Sequence, residues 1–300
     1  MCQIIRNTPL QKKDTIAIVS TARKISLKEL EPAIQLLEHW GLNVVIGNTI
    51  GLEEHQFAGD DKDRTADFQK MLNNPKIKAI WCARGGYGTV KIIDKLDFTE
   101  FKKHPKWVIG YSDVTVLHNH IHNLGIETLH ATMPINISEN SALAINTLQK
   151  SLFEKTITYE IPSAKENKIG KASGKLIGGN LSILYSLLGS KSSLNTDGKI
   201  LFIEDLDEYL YHIDRMMMNL KRNNYFKNLN GLIVGGMTDM HNNTIPFGKN
   251  VKEIILESVS EFDFPVVFNF PAGHIKDNSA LILGRIAKLD VKKSKVKLSY

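Results

Sequence analysis

Two abrupt corners in the sequence could carry chemistry. In the first, an apolar run closes at Ile109, Gly110-Tyr111-Ser112-Asp113 follows, and a helical pattern begins at once. Serine and aspartate at such a corner have two readings. They cap the helix by accepting hydrogen bonds from its free first-turn N–H groups, or Ser112 is a nucleophile raised on a strand-to-helix elbow. Taken alone, the stretch favours capping, and it lacks the last glycine of the α/β-hydrolase elbow. The second corner is Arg84-Gly85-Gly86-Tyr87-Gly88, after the apolar run ending at Ala83. Glycines there permit positive φ and leave backbone N–H groups uncovered for an anion. This is neither a GxGxxG fingerprint nor a P-loop, yet it holds more glycine than a tight turn needs. If the two preceding strands are neighbours, the glycine amides face the Ser112 hydroxyl. The N–H of Asp113 is then a second oxyanion donor.

A nucleophilic serine needs a base, and the base needs an orienting acid. Among ten histidines, His118 and His122 share a helix face in HNHIH, but no carboxylate stands at HExxH spacing. His274 follows a strand and a Pro-Ala-Gly turn, where a base would sit; a solvent-exposed loop histidine is the equal alternative. Glu204 and Asp205 end the apolar run Ile200–Ile203, and either an orienting acid or a solvated strand end fits them. The Met216-Met217-Met218 run reads as helix packing.

These residues must be held by an alternating framework. Strands are expected at 15–20, 43–47, 78–82 and 107–109, with helices at 26–40, 61–73, 89–96 and from 112 onward. Such alternation predicts crossover connections and a parallel sheet, with sites at the carboxyl ends of its strands. In the second half, residues 157–161 alternate with period two, and 163–171 reads as a polar linker. Strands are expected at 200–203, 231–234, 265–270 and, two or three of them, within 281–298; helices are expected at 180–188, 211–220 and 251–258. The boundary is placed at 165, giving domains 1–165 and 166–300.

The chain is 300 residues long, 42% apolar and 23% charged, with a net charge of +6. That suits a globular protein. The lysines are scattered; the densest cluster, Lys292–Lys297, reads as a solvated edge strand. No basic run is interleaved with aromatics, so no nucleic-acid partner is expected. Cys2 and Cys82 make neither a disulfide framework nor a zinc spacing. No signal-peptide core or run of about 20 apolar residues is visible, so a cytoplasmic, reduced protein off the membrane is expected.

The order of these pieces resembles the LD-carboxypeptidase family of serine peptidases, which trim murein peptides in the bacterial cytoplasm and share their fold with the microcin C self-immunity peptidases. The markers are Arg84–Gly88, Gly110–Asp113, Gly178-Gly179-Asn180, Ile203-Glu204-Asp205 and Gly273-His274. The resemblance implies an α/β architecture: a Rossmann-like parallel-sheet N-terminal domain plus a smaller β-rich α+β C-terminal domain. It implies a triad of Ser112 nucleophile, Glu204 acid and His274 base, bridging the two. It implies an oxyanion hole from the amides of Asp113 and Gly86, with Gly85 close behind. The terminal carboxylate of a murein peptide substrate must meet a cation or amide dipoles, and Arg84, beside the hole, is the candidate contact, with Gly85. It further implies a murein tetrapeptide substrate that loses its D-alanine, no cofactor or metal, and a homodimer. Leu129–Pro134 departs from the family where a glycine would follow His130. Arg84–Gly88 favours the murein-recycling branch; a microcin C-type peptidase acting on a peptidyl-nucleotide amide is the alternative. So is a non-catalytic small-ligand-binding protein, which has no need of Ser, Glu and His at three separate strand ends.

Overall fold

The computed structural model describes residues 5–154 and 156–300, so Cys2 lies outside the described residues. The first half runs β1 (Thr15–Val19), α1 (Leu27–His39), β2 (Asn43–Ile46), α2 (Asp61–Asn73) and β3 (Ile77–Cys82). It continues through α3 (Thr89–Ile92), α4 (Thr99–Lys103), β4 (Trp107–Gly110), α5 (Thr115–Asn123), β5 (Thr128–His130) and α6 (Ala142–Phe153). Capping boxes start α1, at Ser26 with Glu29, and α2, at Asp60 with Asp63. β3 and β4 are apolar along nearly their whole length because helices cover both faces of a parallel sheet.

The second half runs β6 (Thr158–Pro162), β7 (Gly170–Asn180), α7 (Leu181–Ser186), β8 (Ile200–Leu206), α8 (Leu210–Arg222) and β9 (Gly231–Thr238). α9 (Val251–Ser258), β10 (Val266–Val267), β11 (Leu281–Leu283), β12 (Ile286–Val291) and β13 (Lys295–Ser299) complete it. Among the described residues the strands form two sheets, ordered β11-β5-β4-β3-β1-β2 and β10-β9-β8-β7-β12-β13-β6. The first is parallel except for β11, which runs antiparallel to β5. In the second, β7 to β10 are parallel, and β12, β13 and β6 continue antiparallel. The fold is the expected two-sheet α/β architecture.

Three local expectations change. Residues 170–180 are a long strand, not the end of a linker: Gly170–Lys175 pair with β12 and Leu176–Asn180 with β8. The lysine-rich strand β13 is not an edge. It lies between β12 and β6, and Lys295 and Lys297 reach Glu160 on β6 at 3.2 and 3.6 Å. Residues 265–270 hold a strand only at 266–267. The sheets also interleave along the chain, since β6 joins the second and β11 returns to the first.

One apolar cluster runs from Ile16, Trp81 and Leu129 of the first sheet through Leu176, Phe202 and Ile233 of the second to Val296. A buried ion pair, Glu127 with Arg285 at 2.7 Å, ties the start of β5 to the approach to β12. Among the described residues no helix is long and apolar enough to cross a membrane.

Candidate active site

β3 and β4 are neighbours, with Trp81 paired to Ile109, so the loops after them share the carboxyl edge of the first sheet. Beyond β4, Ser112 has φ +62, left-handed backbone that a non-glycine residue holds only under constraint from its surroundings. A single 3-10 turn, Ser112–Val114, then leads into α5. The strained residue therefore stands on a sharp strand-to-helix elbow. Asp113 is buried, and its Oδ2 accepts the Thr89 N–H at 2.9 Å. That bond fastens the elbow to the end of the glycine turn. Burial pushes the Asp113 carboxyl up, against the opposing pull of the Thr89 bonds.

The glycine turn is shaped by contact. A β-carbon on Gly85 would lie 3.1 Å from Ser112 Cβ and 3.2 Å from its Oγ, so backbone rather than side chain faces the serine. Gly86, at φ +111, lies under the side chain of Arg23. Arg84 is half-buried and donates from Nη1 to the Lys24 carbonyl at 3.3 Å.

Glu204 and Asp205 point to different tasks, as alternation along a strand requires. Glu204 is fully buried, and its Oε2 lies 2.6 Å from His274 Nδ1 and accepts the His274 N–H at 3.1 Å. Gly273, at φ +107, makes this approach possible: a β-carbon there would sit 2.7 Å from both Cβ and Oε2 of Glu204. Asn278 accepts the Gly273 N–H at 2.8 Å and steadies the turn. Burial acts to lower the His274 pKa, but the Glu204 and Asp205 charges outweigh it, and the imidazole stands above its ordinary value.

Asp205 holds the end of β7, Gly178-Gly179-Asn180, where it passes into α7. It accepts from Asn180 Nδ2 and from the Ser182 N–H, both at 2.9 Å, at the start of α7. Burial first and Glu204 second push its carboxyl up to about 7. The same strand end touches the elbow, because the Asn180 N–H donates to Thr115 Oγ1 at 3.0 Å.

The serine and histidine sides meet through Tyr111, whose ring centroid lies 4.7 Å from that of His274. The Ser112 hydroxyl and His274 are not hydrogen-bonded here, and catalytic bonds of this kind often tighten only with substrate. His118 is buried with Nε2 2.9 Å from the Gly110 carbonyl, and burial lowers its pKa to about 4. Among the described residues no group of three or more His, Cys, Asp or Glu is arranged to hold a metal. Cys82 is buried, its thiol pushed up to about 12 by burial. Arg23 and Asn278 escaped the sequence reading. Neither lies in a recognisable motif; each is placed by a turn that only the fold brings to the site.

The arrangement combines a strained serine, a glycine turn packed against it and a carboxylate-held imidazole, which are parts of acyl transfer. Comparison with known proteins is consistent with this. Residues 16–131 match the LD-carboxypeptidase N-terminal domain, and residues 173–289 the LD-carboxypeptidase C-terminal domain. A probable murein peptide carboxypeptidase of Bacillus subtilis is 37% identical, covering 94% of this chain and 90% of that protein. The Microcin C7 self-immunity protein of Escherichia coli is 28% identical, covering 92% and 90%. The crystal structure of muramoyltetrapeptide carboxypeptidase from Oxalobacter formigenes superposes with a TM-score of 0.87 at 26% identity, over 95% of this chain and 98% of that one.

Proposed function

The chain belongs to the LD-carboxypeptidase family, and we propose that it hydrolyses the L,D-peptide bond that releases the terminal D-alanine of murein tetrapeptides. Ser112 is the nucleophile, His274 the general base and Glu204 the acid that orients it. The observation that carries this reading is the 2.6 Å bond from His274 to a fully buried Glu204, facing a strained serine across Tyr111.

His274 takes the hydroxyl proton as Ser112 attacks the scissile carbonyl. Glu204 fixes Nδ1 as the protonated nitrogen, leaves Nε2 free to accept, and stabilises the imidazolium that forms. The oxyanion meets the amides of Asp113 and Gly86, each such donor contributing about 3 kcal/mol to the transition state. His274 then protonates the departing D-alanine amine. Water, activated by the same imidazole, releases the acyl-enzyme. Arg84 and Gly85 wall the substrate side of the cleft. Every step is supplied by side chains and amides of this chain, so the reaction as proposed uses no metal or cofactor. The protein works in the cytoplasm, as a homodimer, on a peptide and not on nucleic acid.

Incubation with purified murein tetrapeptide tests this. Release of free D-alanine by the native protein, and its loss in a folded Ser112→Ala variant, is the expected result. Cleavage of a peptidyl-nucleotide amide without D-alanine release would turn the assignment to the microcin-type activity. Turnover of neither compound would point to a ligand-binding role. Light scattering on the same sample reads the dimer.

A further inference from the structure

Arg23 lies in the loop after β1 and belongs to no motif read in the sequence. Its backbone is fixed: Ser20 Oγ donates to the Arg23 carbonyl at 2.6 Å, and Arg23 bridges to Phe57. The next residue is held from two sides, with the Lys24 N–H on the Gln56 carbonyl at 2.9 Å and Arg84 Nη1 on the Lys24 carbonyl. The side chain is laid over the glycine turn. A β-carbon on Gly86 would lie 2.6 Å from Arg23 Cδ and 2.9 Å from its Nε. The exposed Arg23 side chain thus lies over a glycine whose φ of +111 disfavours any β-carbon.

The neighbouring cations have partners. Lys24 pairs with Glu53 at 2.7 Å, Arg64 is buried on Asp61 and the Thr21 carbonyl, and Arg84 is bonded to Lys24 and acts on Glu29. Among the described residues the Arg23 guanidinium makes no hydrogen bond or ion pair. The spacing fits a substrate. A β-carbon on Gly85 would meet Ser112, and one on Gly86, one residue on, would meet Arg23. In a peptide the C-terminal carboxylate likewise lies one residue beyond the scissile carbonyl, a step of about 3.8 Å.

We infer that Arg23 binds the C-terminal carboxylate of the substrate and thereby restricts cleavage to the last residue of the peptide. This rests on the carboxypeptidase reading above. A guanidinium offers two parallel donors that match a carboxylate, which an ammonium does not. Arg84 braces the loop that carries it.

The test compares a murein tetrapeptide ending in D-alanine with the same peptide ending in D-alaninamide. The native protein should prefer the free acid. Arg23→Gln, whose folding is checked by its melting temperature, should lower kcat/KM for the acid about 10- to 100-fold, through KM more than kcat, and leave the amide nearly unchanged. Arg23→Lys should recover part of the preference. If Arg23→Gln keeps the native acid-to-amide ratio, the inference is overturned while the carboxypeptidase reading stands. If Arg84→Gln instead abolishes the ratio and Arg23→Gln does not, the anchor is Arg84. Should the native protein release neither D-alanine nor D-alaninamide, the reading of the site falls and this assignment with it.

Discussion

Glu204 and Asp205 are adjacent carboxylates at one strand end, and their fates differ by the direction in which each points. Glu204 holds His274, whereas Asp205 holds Asn180 and Ser182. Glu204→Gln preserves shape but removes the charge that favours the imidazolium. An amide can also donate to Nδ1 and select the wrong tautomer. In serine proteases the comparable change costs about 10⁴ in turnover; a loss on the order of 10² or more is expected here. Asp205→Asn should lower thermal stability more than kcat, because it disturbs the start of α7 while leaving the Glu204 bond that orients the imidazole in place. Steady-state kinetics and melting curves on both variants check the ranking, and the reverse order would reassign the acid. As the proposed base, His274 must be neutral to act, so kcat/KM should rise with pH through its pKa. Because Glu204 and Asp205 outweigh burial, that limb should lie above the ordinary histidine value of about 6.5. Glu204→Gln should move the limb to lower pH in whatever activity survives. The sequence displayed both carboxylates, and only the family resemblance pointed to Glu204; strand pattern alone held no clue, since one residue of register decides which of two neighbours faces the histidine. Asn278 was illegible for a similar reason: its bond to Gly273 is made by a turn, and turns of this kind have no periodicity to read.

At the scale of elements, period and punctuation carried most of the information. β1 to β4, β8, β9, α1, α2 and α9 were legible from apolar spacing, whereas the three-residue strand β5 was too short to show a period. β7 was not legible either, because Gly170–Asn180 is rich in glycine and lysine. Its glycines are demanded by close packing that a single sequence does not display: a β-carbon on Gly179 would press on the Thr115 side chain. β13 taught the converse. Its alternating lysines report a wet face, and a strand with one wet face can still have neighbours on both sides. The turn before His274 offers a direct trial of such close packing. Gly273→Ala should both strain the backbone, by about 1–3 kcal/mol, and push Glu204 off its histidine, with kcat/KM falling by about 100-fold or more. Gly248 also has positive φ, +87, but open space around it. Gly248→Ala should show the stability loss without the kinetic one. Equal kinetic effects at both positions would mean that the Gly273 contact has no bearing on the acid.

Across the whole molecule, the two sheets share a core and are locked by the buried Glu127–Arg285 pair. Arg285→Met leaves a buried carboxylate without that partner and should cost about 3–5 kcal/mol in urea unfolding. Replacing both residues by apolar ones of similar size should recover most of that loss; failure to recover would show that the pair does more than satisfy itself. The interleaving also bears on the order of events during synthesis. β5 is complete at His130, but the strand that covers its outer edge, β11, begins only at Leu281. At about 5–20 residues per second, the nascent sheet waits roughly 8–30 s with that edge bare, and His274 is added only in the last moments of the same interval. A ribosome stalled before this point therefore carries Ser112 and Glu204 without the proposed base. The growing chain thus gains the last member of the proposed triad only shortly before the strand that closes its first sheet.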